Sequence, residues 1–465
     1  MSTARTVVLA APSSGSGKTT VSTGLMAALA RRGTRVAPFK VGPDYIDPGY
    51  HTLAAGLPGR NLDPVLVGTD RIAPLARHGS AGADVAVVEG VMGLFDGRIA
   101  DGAGSTAQVA ALLGAPVVLV VDVRGQSRSL AALLHGFRSF DADIDVAGVI
   151  LNRVGSPRHV EVLTAAADEA GLPVLGAVPR RAELVVPSRH LGLVTAAEHG
   201  AAARAAVDAM AELVATHVDL DAVVATARPL PEGPVWDPGA EIARVRAASG
   251  DGPAARGPVI AVAGGPAFGF GYTEHAELLR AAGAEVALVD PLRDGSLPEG
   301  TAGLVLPGGF PEEHVAALGA NAPLRTAIAA LAGTGAPVHA ECGGLLYLCR
   351  ELDGVEMCGV LPATGAMTER LTLGYREAVA VTGSSVFDEG SRVSGHEFHR
   401  CAVTPRAGHG TGDGGPAWAW RAAEPEGFVQ GGVHASFLHT HPAGNPDAVA
   451  RFVTAASRAD AAAPA

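Results

Sequence analysis

With 465 residues and 48% hydrophobic content, the chain is long enough for two or three folded domains, which excludes a largely disordered protein. A formal net charge of −12 argues against a nucleic-acid-binding surface, and no apolar run reaches the length of a membrane span. Four cysteines without a CxxC pair, and an N-terminus without a basic and apolar leader, predict a cytoplasmic protein with reduced thiols and no membrane partner.

Short apolar runs alternate with helical patterns along most of the chain, which predicts an α/β fold. The alternation begins near residue 6, fades across a segment rich in Pro, Gly and Arg, and restarts at Val259. We therefore expect an N-terminal doubly wound parallel sheet over residues 1–224, a linker over 225–257 and a second α/β domain over 258–465.

The first strand pattern, residues 6–11, leads into a Gly-rich loop and a helix. Such a loop at a helix N-terminus places N–H groups where they bind phosphate. The strict phosphate-loop pattern has glycine where this chain has Pro12, but the strand, loop and helix order is that of an ATP-binding loop. Lys18 is expected to reach the β- and γ-phosphates and Thr19 to bind Mg²⁺. The other ATP-binding candidates are Gly15, Gly17 and Thr20.

Charged residues follow the second strand pattern, residues 34–39, at the position where open α/β sheets bind ligands. Lys40 is expected to neutralise phosphate charge. Asp44 and Asp47 are candidates to hold metal or to touch substrate, and a solvated Pro-Asp turn remains the alternative for each.

Later strand patterns also end in polar residues. Glu89 ends an apolar strand and is the expected second metal contact of a phosphate-loop enzyme, whereas Asp96 follows in a Gly-rich loop and is a substrate candidate. Asn152 ends the strand pattern of residues 146–151, and its amide matches the adenine edge. The segment 187–193 holds two basic groups that suit either a carboxylate clamp or an exposed turn.

In the second domain, Cys342 lies between a strand pattern and a helical pattern, with the small residues Ala340 and Gly344 two positions to either side. This is the arrangement of a nucleophile elbow. We expect the helix N-terminus to lower the pKa of the thiol and to expose it. A buried structural cysteine is the alternative.

Two further stretches suit catalysis at that thiol. Gly309 follows a strand pattern, and its N–H together with that of Gly343 is a candidate oxyanion hole. His439 and His441 share a face if they lie on a strand, so that His439 can face the thiol and His441 can support it from behind. A metal-binding histidine pair is the alternative.

Several long stretches resemble the cobyrinic or hydrogenobyrinic acid a,c-diamide synthase family, which belongs to the corrinoid amidotransferases. The matching stretches lie at residues 14–20, 39–48, 89–97, 189–193, 340–344, 395–398 and 435–441.

The resemblance implies a synthetase domain similar to dethiobiotin synthetase, followed by a class I glutamine amidotransferase domain. It implies ATP-, Mg²⁺- and glutamine-dependent amidation of a corrinoid polycarboxylate, and it leaves a homodimer open. It also implies that Cys342 is the nucleophile and His439 its base, with His441 at the position where class I enzymes usually carry a glutamate. The implied ligands of Mg-ATP are Lys18, Thr19, Lys40, Asp47 and Glu89, with Asn152 at the adenine and with Asp44, Tyr45 and Asp96 near the corrinoid.

Two other functions compete with this one. An ATP-driven switch of the partition type shares the deviant phosphate loop but lacks a glutaminase elbow. A sister amidotransferase, either cobyric acid synthase or a nickel-sirohydrochlorin enzyme, would act on another tetrapyrrole carboxylate.

Overall fold

The computed structural model describes residues 4–180, 188–189, 192–193, 198, 200–249, 257–410, 414–421 and 424–462. The chain forms two compact units, Met1–Trp236 and Asp237–Ala465. Each unit contains a sheet built mainly of parallel strands, with helices between successive strands. The predicted α/β fold class is therefore confirmed.

The strands described in the first unit are β1 (Arg5–Ala10), β2 (Val36–Val41), β3 (Arg60–Leu62), β4 (Val85–Glu89), β5 (Val117–Asp122), β6 (Val146–Val154), β7 (Val174–Pro179), β8 (Ser188–Arg189), β9 (Gly192–Leu193) and β10 (Arg228–Pro229). Seven of them form a parallel sheet in the order β3-β2-β4-β1-β5-β6-β7, and β10 pairs with β1 in the antiparallel direction. Because the strands are parallel, the loops after β1, β2, β4 and β6 all leave the sheet at one edge.

The central strands are buried along their whole length because both faces of the sheet are covered. Every residue of β2 and of β4 is buried, including the charged Lys40 and Glu89. This continuous burial is expected of parallel strands.

The helix that follows the phosphate loop packs closely against a late helix of the same unit. A Cβ on Gly24 would lie 2.5 Å from the carbonyl oxygen of Met210, so only glycine fits there. The helices described in this unit are Lys18–Arg31, Asp47–Ala55, Pro64–Val67, Ile72–Gly79, Thr106–Leu113, Ser129–Ser139, Pro157–Glu169, Ala201–His217 and Leu220–Thr226, with a 3₁₀ turn at Thr69–Arg71.

Two predicted loop segments contain regular structure. The predicted linker, residues 225–257, holds β10 and the helix Pro238–Ser249, whose Arg246 donates to the carbonyl of Ala282 at 2.8 Å. In the segment 187–193, β8 and β9 form an antiparallel pair, while His190 lies outside the described residues.

The strands of the second unit are β11 (Val259–Ala263), β12 (Glu285–Val289), β13 (Thr301–Leu306), β14 (Val338–Glu341), β15 (Glu351–Leu352), β16 (Val355–Glu356), β17 (Thr364–Ala380), β18 (Arg392–Thr404), β19 (Gly414–Gly415), β20 (Trp418–Ala419), β21 (Phe428–Gln430), β22 (Val433–Ser436) and β23 (His439–Thr440). One sheet has the order β12-β11-β13-β14-β22-β21-β19, and it is parallel from β12 to β22. A second sheet has the order β16-β15-β17-β18-β23, with β20 also paired to β17.

The helices described in the second unit are Pro238–Ser249, Thr273–Ala281, Val315–Ala320, Ala322–Gly333, Gly343–Leu348 and Pro446–Ala462, with a 3₁₀ turn at Pro311–His314. Within the described part of the chain, no single helix has the length and apolar content of a membrane span. One pair, Pro311–Ala320 with Ala322–Gly333, reaches that length and composition together but is bent by 96°.

Candidate active sites

The loop between β1 and the helix Lys18–Arg31 has the backbone shape of an anion-binding loop. Gly15 and Gly17 have positive φ angles of 76° and 90°, which glycine adopts without strain. A Cβ at position 17 would lie 2.3 Å from the Nδ2 of Asn152. Position 17 therefore accepts glycine alone.

Lys18 links this loop to the loop that follows β4. Its ammonium group donates to the carbonyl of Ser13 at 3.4 Å and to the carbonyl of Met92. Burial, together with the nearby charge of Lys40, lowers the pKa of Lys18 to about 8. Thr20 lies half-buried in the first turn of the same helix.

Four candidates meet in what we call the carboxylate–lysine cluster, made of Thr19, Lys40, Asp47 and Glu89. The Nζ of Lys40 lies 2.6 Å from the Oδ2 of Asp47 and 2.9 Å from the Oε1 of Glu89. The Thr19 hydroxyl donates to that Glu89 oxygen at 2.6 Å and to the Oδ2 of Asp47 at 3.3 Å. The side chains meet because the ends of β1, β2 and β4 are neighbours in the sheet.

The charges of the cluster depend on each other. Burial alone would lower the pKa of Lys40, but Asp47 and Glu89 outweigh burial and raise that pKa above its usual range. Burial would raise the pKa of Glu89, yet the Lys40 charge holds it well below its usual range. Burial and the charge of Asp44 raise the pKa of Asp47 to about 7. Lys40 and Glu89 therefore form a buried ion pair at neutral pH.

Two buried residues behind Glu89 were not singled out from the sequence. The Ser22 hydroxyl donates to the Oε2 of Glu89 at 2.5 Å, and the Nε2 of His51 lies 2.7 Å from the same oxygen. His51 follows Asp47 by four residues on one helix, so it lies on the same helix face. That spacing is the signal that could have identified His51.

The oxygens of Thr19, Asp47 and Glu89 fit a magnesium ion by their chemistry. Mg²⁺ takes hydroxyl and carboxylate oxygens, and proteins usually bind it through one or two carboxylates together with substrate phosphates. No cluster of three or more His, Cys, Asp or Glu side chains suited to a metal ion occurs among the described residues. Binding of magnesium by these three residues therefore stays a prediction.

Asn152 lies against the phosphate loop. Its Nδ2 donates to the carbonyl of Ser16 at 2.8 Å, so the amide supports the loop, and its contact with adenine stays a prediction. The neighbouring Arg153 donates to the carbonyl of Gly15 at 3.0 Å and pairs with Asp122 at 2.5 Å. Side chains of β6 therefore support this loop, and Asp122 of β5 pairs with one of them.

The three substrate candidates lie in the two loops that flank the cluster. The Oδ1 of Asp44 accepts the N–H groups of Ile46 and Asp47, at 2.8 and 3.0 Å. The Oδ2 of Asp96 accepts the N–H of Gly93 at 2.9 Å. Tyr45 is half-buried. These contacts give Asp44 and Asp96 a role in shaping the loops, and their contact with substrate stays a prediction.

In the second unit, Cys342 occupies a sharp turn between β14 and the helix Gly343–Leu348. Its φ angle is 49°, which is rare for a residue other than glycine. A Cβ on Gly344 would lie 2.1 Å from the carbonyl oxygen of Leu306, so a small residue is required after the turn. This is the geometry of a nucleophile elbow.

The two oxyanion candidates lie side by side. A Cβ on Gly343 would be 2.9 Å from the backbone nitrogen of Gly309, and the N–H of Gly343 donates towards the Cys342 thiol. The neighbouring Gly308 borders His439, because a Cβ there would lie 2.4 Å from its Cε1. The elbow and His439 therefore both border the neighbouring glycines Gly308 and Gly309.

The carboxylate near the Nδ1 of His439 comes from Glu341, which was not singled out from the sequence. Its Oε2 lies 3.8 Å from that nitrogen. His441 instead accepts the N–H of Ala443 at 3.2 Å, and its ring packs on Tyr272 with centroids 4.0 Å apart. The predicted support of His439 by His441 stays a prediction.

The expected exposure and lowered pKa of the thiol were wrong. Cys342 is buried, and burial raises its pKa well above the usual range, with the nearby Cys401 and Glu312 adding to the effect. Burial also lowers the pKa of His439 to about 3. Burial therefore favours the neutral form of both groups.

Comparison with known proteins matches both units. Residues 7–194 match the CobQ/CobB/MinD/ParA nucleotide binding domain, and residues 259–446 match the CobB/CobQ-like glutamine amidotransferase domain. A Mycobacterium bovis protein named hydrogenobyrinate a,c-diamide synthase is 59% identical, over 97% of this chain and 98% of its own length. The chain belongs to the a,c-diamide synthase family.

Other members of the a,c-diamide synthase family are similar over nearly the whole chain. The hydrogenobyrinate a,c-diamide synthase of Streptomyces coelicolor is 56% identical, over 96% of each chain. The cobyrinate a,c-diamide synthase of Dehalococcoides mccartyi is 39% identical, over 96% of this chain and 97% of its own. The predicted family is therefore confirmed.

Membership of the a,c-diamide synthase family makes the protein a glutamine-dependent amidating enzyme with a nucleotide-binding domain. The predicted enzyme class is confirmed. The alternative of a partition-type ATPase is set aside, since such a switch lacks a glutamine amidotransferase domain.

Proposed function

We propose that the protein amidates the a- and c-acetate carboxylates of hydrogenobyrinic acid in cobalamin biosynthesis, with ATP and glutamine as co-substrates. The observation that carries this proposal is the pattern of identities. Relatives named for hydrogenobyrinate are 59%, 56% and 52% identical, whereas relatives named for cobyrinate are 39% identical. The cobalt-free ring is therefore the substrate we favour, and the cytoplasm remains the predicted compartment.

In the first unit, a substrate carboxylate takes the γ-phosphoryl group of ATP and becomes an acyl phosphate. Phosphate is a better leaving group than oxide, so ammonia can then displace it and form the amide. Lys18 and Lys40 supply positive charge beside the transferring phosphoryl group. Mg²⁺, held by Thr19, Asp47 and Glu89 with the nucleotide, would neutralise phosphate charge. The buried salt bridges of Lys40 support this arrangement.

The phosphate loop binds the triphosphate through its backbone N–H groups, and Asn152 borders the adenine. We assign the corrinoid side of the site to Asp44, Tyr45 and Asp96. They lie in the loops after β2 and β4, beside the cluster that would hold the phosphates.

In the second unit, Cys342 attacks the side-chain amide of glutamine. The Nε2 of His439 takes the thiol proton and passes it to the leaving ammonia, and water then releases glutamate from the thioester. The N–H groups of Gly309 and Gly343 stabilise the oxyanion that forms on the amide carbonyl. The positions of these two glycines next to the elbow support this assignment.

The test supplies purified protein with cobalt-free or cobalt-bearing cobyrinic acid, ATP and glutamine, and resolves the products by mass. We expect a diamide from hydrogenobyrinic acid and slower turnover of the cobalt-bearing ring. Faster turnover of the cobalt-bearing ring would overturn the choice of substrate. Failure with both rings would favour a sister enzyme that acts on another tetrapyrrole.

The division of labour is tested with Cys342→Ser. The variant should lose glutamine-dependent synthesis and keep ammonia-dependent synthesis, because the thiol acts on glutamine alone. Loss of both activities, in a variant that unfolds in urea like the wild type, would contradict the proposed roles.

A further inference from the structure

Glu341 directly precedes the nucleophile in the chain, and its carboxylate faces the ring of His439. The Oε2 of Glu341 lies 3.8 Å from the Nδ1 of His439. Since the Nδ1 faces the carboxylate, the proposed proton transfer from the thiol of Cys342 uses the Nε2. In class I enzymes this support usually comes from a glutamate two residues after the histidine, a position that His441 occupies here.

We propose that Glu341 is the positioning residue of the glutaminase site, which holds the imidazole of His439 and balances the charge that forms on it. The proton moves from the sulfur of Cys342 to the Nε2 of His439 and then to the leaving ammonia, while the ionised carboxylate of Glu341 neither takes nor gives a proton. The inference rests on the proposed roles of Cys342 and His439.

Thr440 fixes the carboxylate in this orientation. Its backbone N–H and its hydroxyl both donate to the Oε1 of Glu341, each at 3.0 Å. With Oε1 engaged twice, Oε2 is the oxygen that points to His439. The hydrogen bonds come from the residue next to His439, so the base and its supporting carboxylate are tied together through one short strand, β23.

Sheet register brings Glu341 to this place. The last residues of β14 and β22 pair in parallel, Glu341 opposite Ser436, and His439 follows three residues later. The N–H of Cys342 also donates to the carbonyl of Ser436 at 2.7 Å. Nucleophile and carboxylate are therefore held at the paired ends of β14 and β22, and the base follows on β23.

The surroundings make a charge on His439 costly unless it is balanced. His439 is only 1% exposed, and burial lowers its pKa to about 3. Glu341 and the neighbouring His339 border a cavity of about 30 Å³, which has room for a single water. Burial raises the pKa of Glu341 to about 7, so a substantial fraction is ionised at neutral pH. In such a poorly solvated place, a carboxylate at 3.8 Å is close enough to attract an imidazolium.

The test measures glutamate release from glutamine by Glu341→Gln, whose amide keeps the shape and loses the charge. We expect kcat to fall by about 100-fold, within the usual range for disturbed general-base catalysis. The KM for glutamine should change less than about twofold, because Glu341 acts on the far side of the base. Thr440→Val removes the hydroxyl that donates to Glu341 and keeps the backbone N–H that also donates. Its kcat for glutamate release should therefore fall only a few fold.

A double-mutant cycle separates positioning from a general structural role. If Glu341 acts through His439, adding Glu341→Gln to His439→Ala should lower the rate of glutamate release little further. A general structural defect would instead add its own loss of rate to that of His439→Ala. Ammonia-dependent synthesis reports on the first unit and should stay unchanged. Glu285→Gln, an exposed site on β12, is the matched control and should behave as the wild type.

The outcomes distinguish this inference from the proposed function. A wild-type protein that releases no glutamate from glutamine would contradict the proposed glutaminase. If the wild type is active and the Glu341→Gln variant is equally active, the inference alone is contradicted. The same holds if the losses of activity from Glu341→Gln and His439→Ala add in the double mutant.

Discussion

Lys40 and Glu89 lie directly opposite each other on the neighbouring parallel strands β2 and β4, and their side chains meet at 2.9 Å. Both are almost fully buried, with side chains 5% and 0% exposed. Sheet register thus places a cation and an anion together at the edge where the phosphate loop ends. The pair holds the site together and presents charge to a ligand.

Lys40→Met should destabilise the first unit because it leaves Glu89 and Asp47 buried without their cation. Breaking a buried ion pair in this way costs about 3–5 kcal/mol. We expect this loss in urea unfolding followed by fluorescence, together with loss of both glutamine- and ammonia-dependent synthesis. Glutamine hydrolysis should persist, since its residues lie in the second unit. A change in unfolding free energy below about 0.5 kcal/mol would show that the pair does not stabilise the fold.

Gly17→Ala should weaken ATP binding more than backbone strain alone explains. The new Cβ would lie 2.3 Å from the Nδ2 of Asn152 and push the loop away from its support. Gly33→Ala is the matched control, because Gly33 has a similar φ of 85° and no atom within 4 Å of the added Cβ. Both variants should lose about 1–2 kcal/mol of stability from the left-handed backbone. Only Gly17→Ala should raise the KM for ATP, by about tenfold or more, and equal KM values would refute the role of the contact.

Nucleotide affinity should fall as the pH rises through about 8, where Lys18 in the free protein loses its proton. The sign follows from the charge, since only the protonated amine attracts phosphate. For a pKa of about 8, binding should be about fivefold weaker at pH 9 than at pH 8. Calorimetry with Mg²⁺ and a non-hydrolysable ATP analogue measures this dependence. Lys18→Arg keeps its charge and should bind equally at both pH values, and a wild type without pH dependence would contradict the assignment.

Much of the first unit could be predicted because its signals are local. Apolar runs predicted β1, β2, β4, β5 and β6, and the polar residues that follow them mark one edge of a parallel sheet. The hydrogen bonds of Ser22 and His51 to Glu89 could not be predicted with the same ease, since they depend on how helices pack behind the strand. Sequence order places neither residue beside Glu89.

In the second unit, too, local features could be predicted from the sequence, whereas contacts between distant segments could not. The elbow at Cys342 was predicted from small neighbours, and the close approach of Leu306 to Gly344 explains that requirement. The environment of the thiol was predicted wrongly because burial by distant segments outweighs the effect of one short helix. Glu341 was missed because it is separated from His439 by almost a hundred residues and meets it only in the fold, where β14 pairs with β22 and Thr440 donates to the carboxylate.

The antiparallel pairing of β10 with β1 has a consequence for biosynthesis. Arg5 leaves the ribosome early, but its strand partner Pro229 follows only when about half the chain has been translated. The helix that closes over Gly24 also lies beyond residue 200. The nascent phosphate loop therefore waits, with the first two residues of its strand unpaired on one side and one face of its helix uncovered, until these late segments emerge. Translation rate and chaperone access during that interval will influence the yield of folded protein.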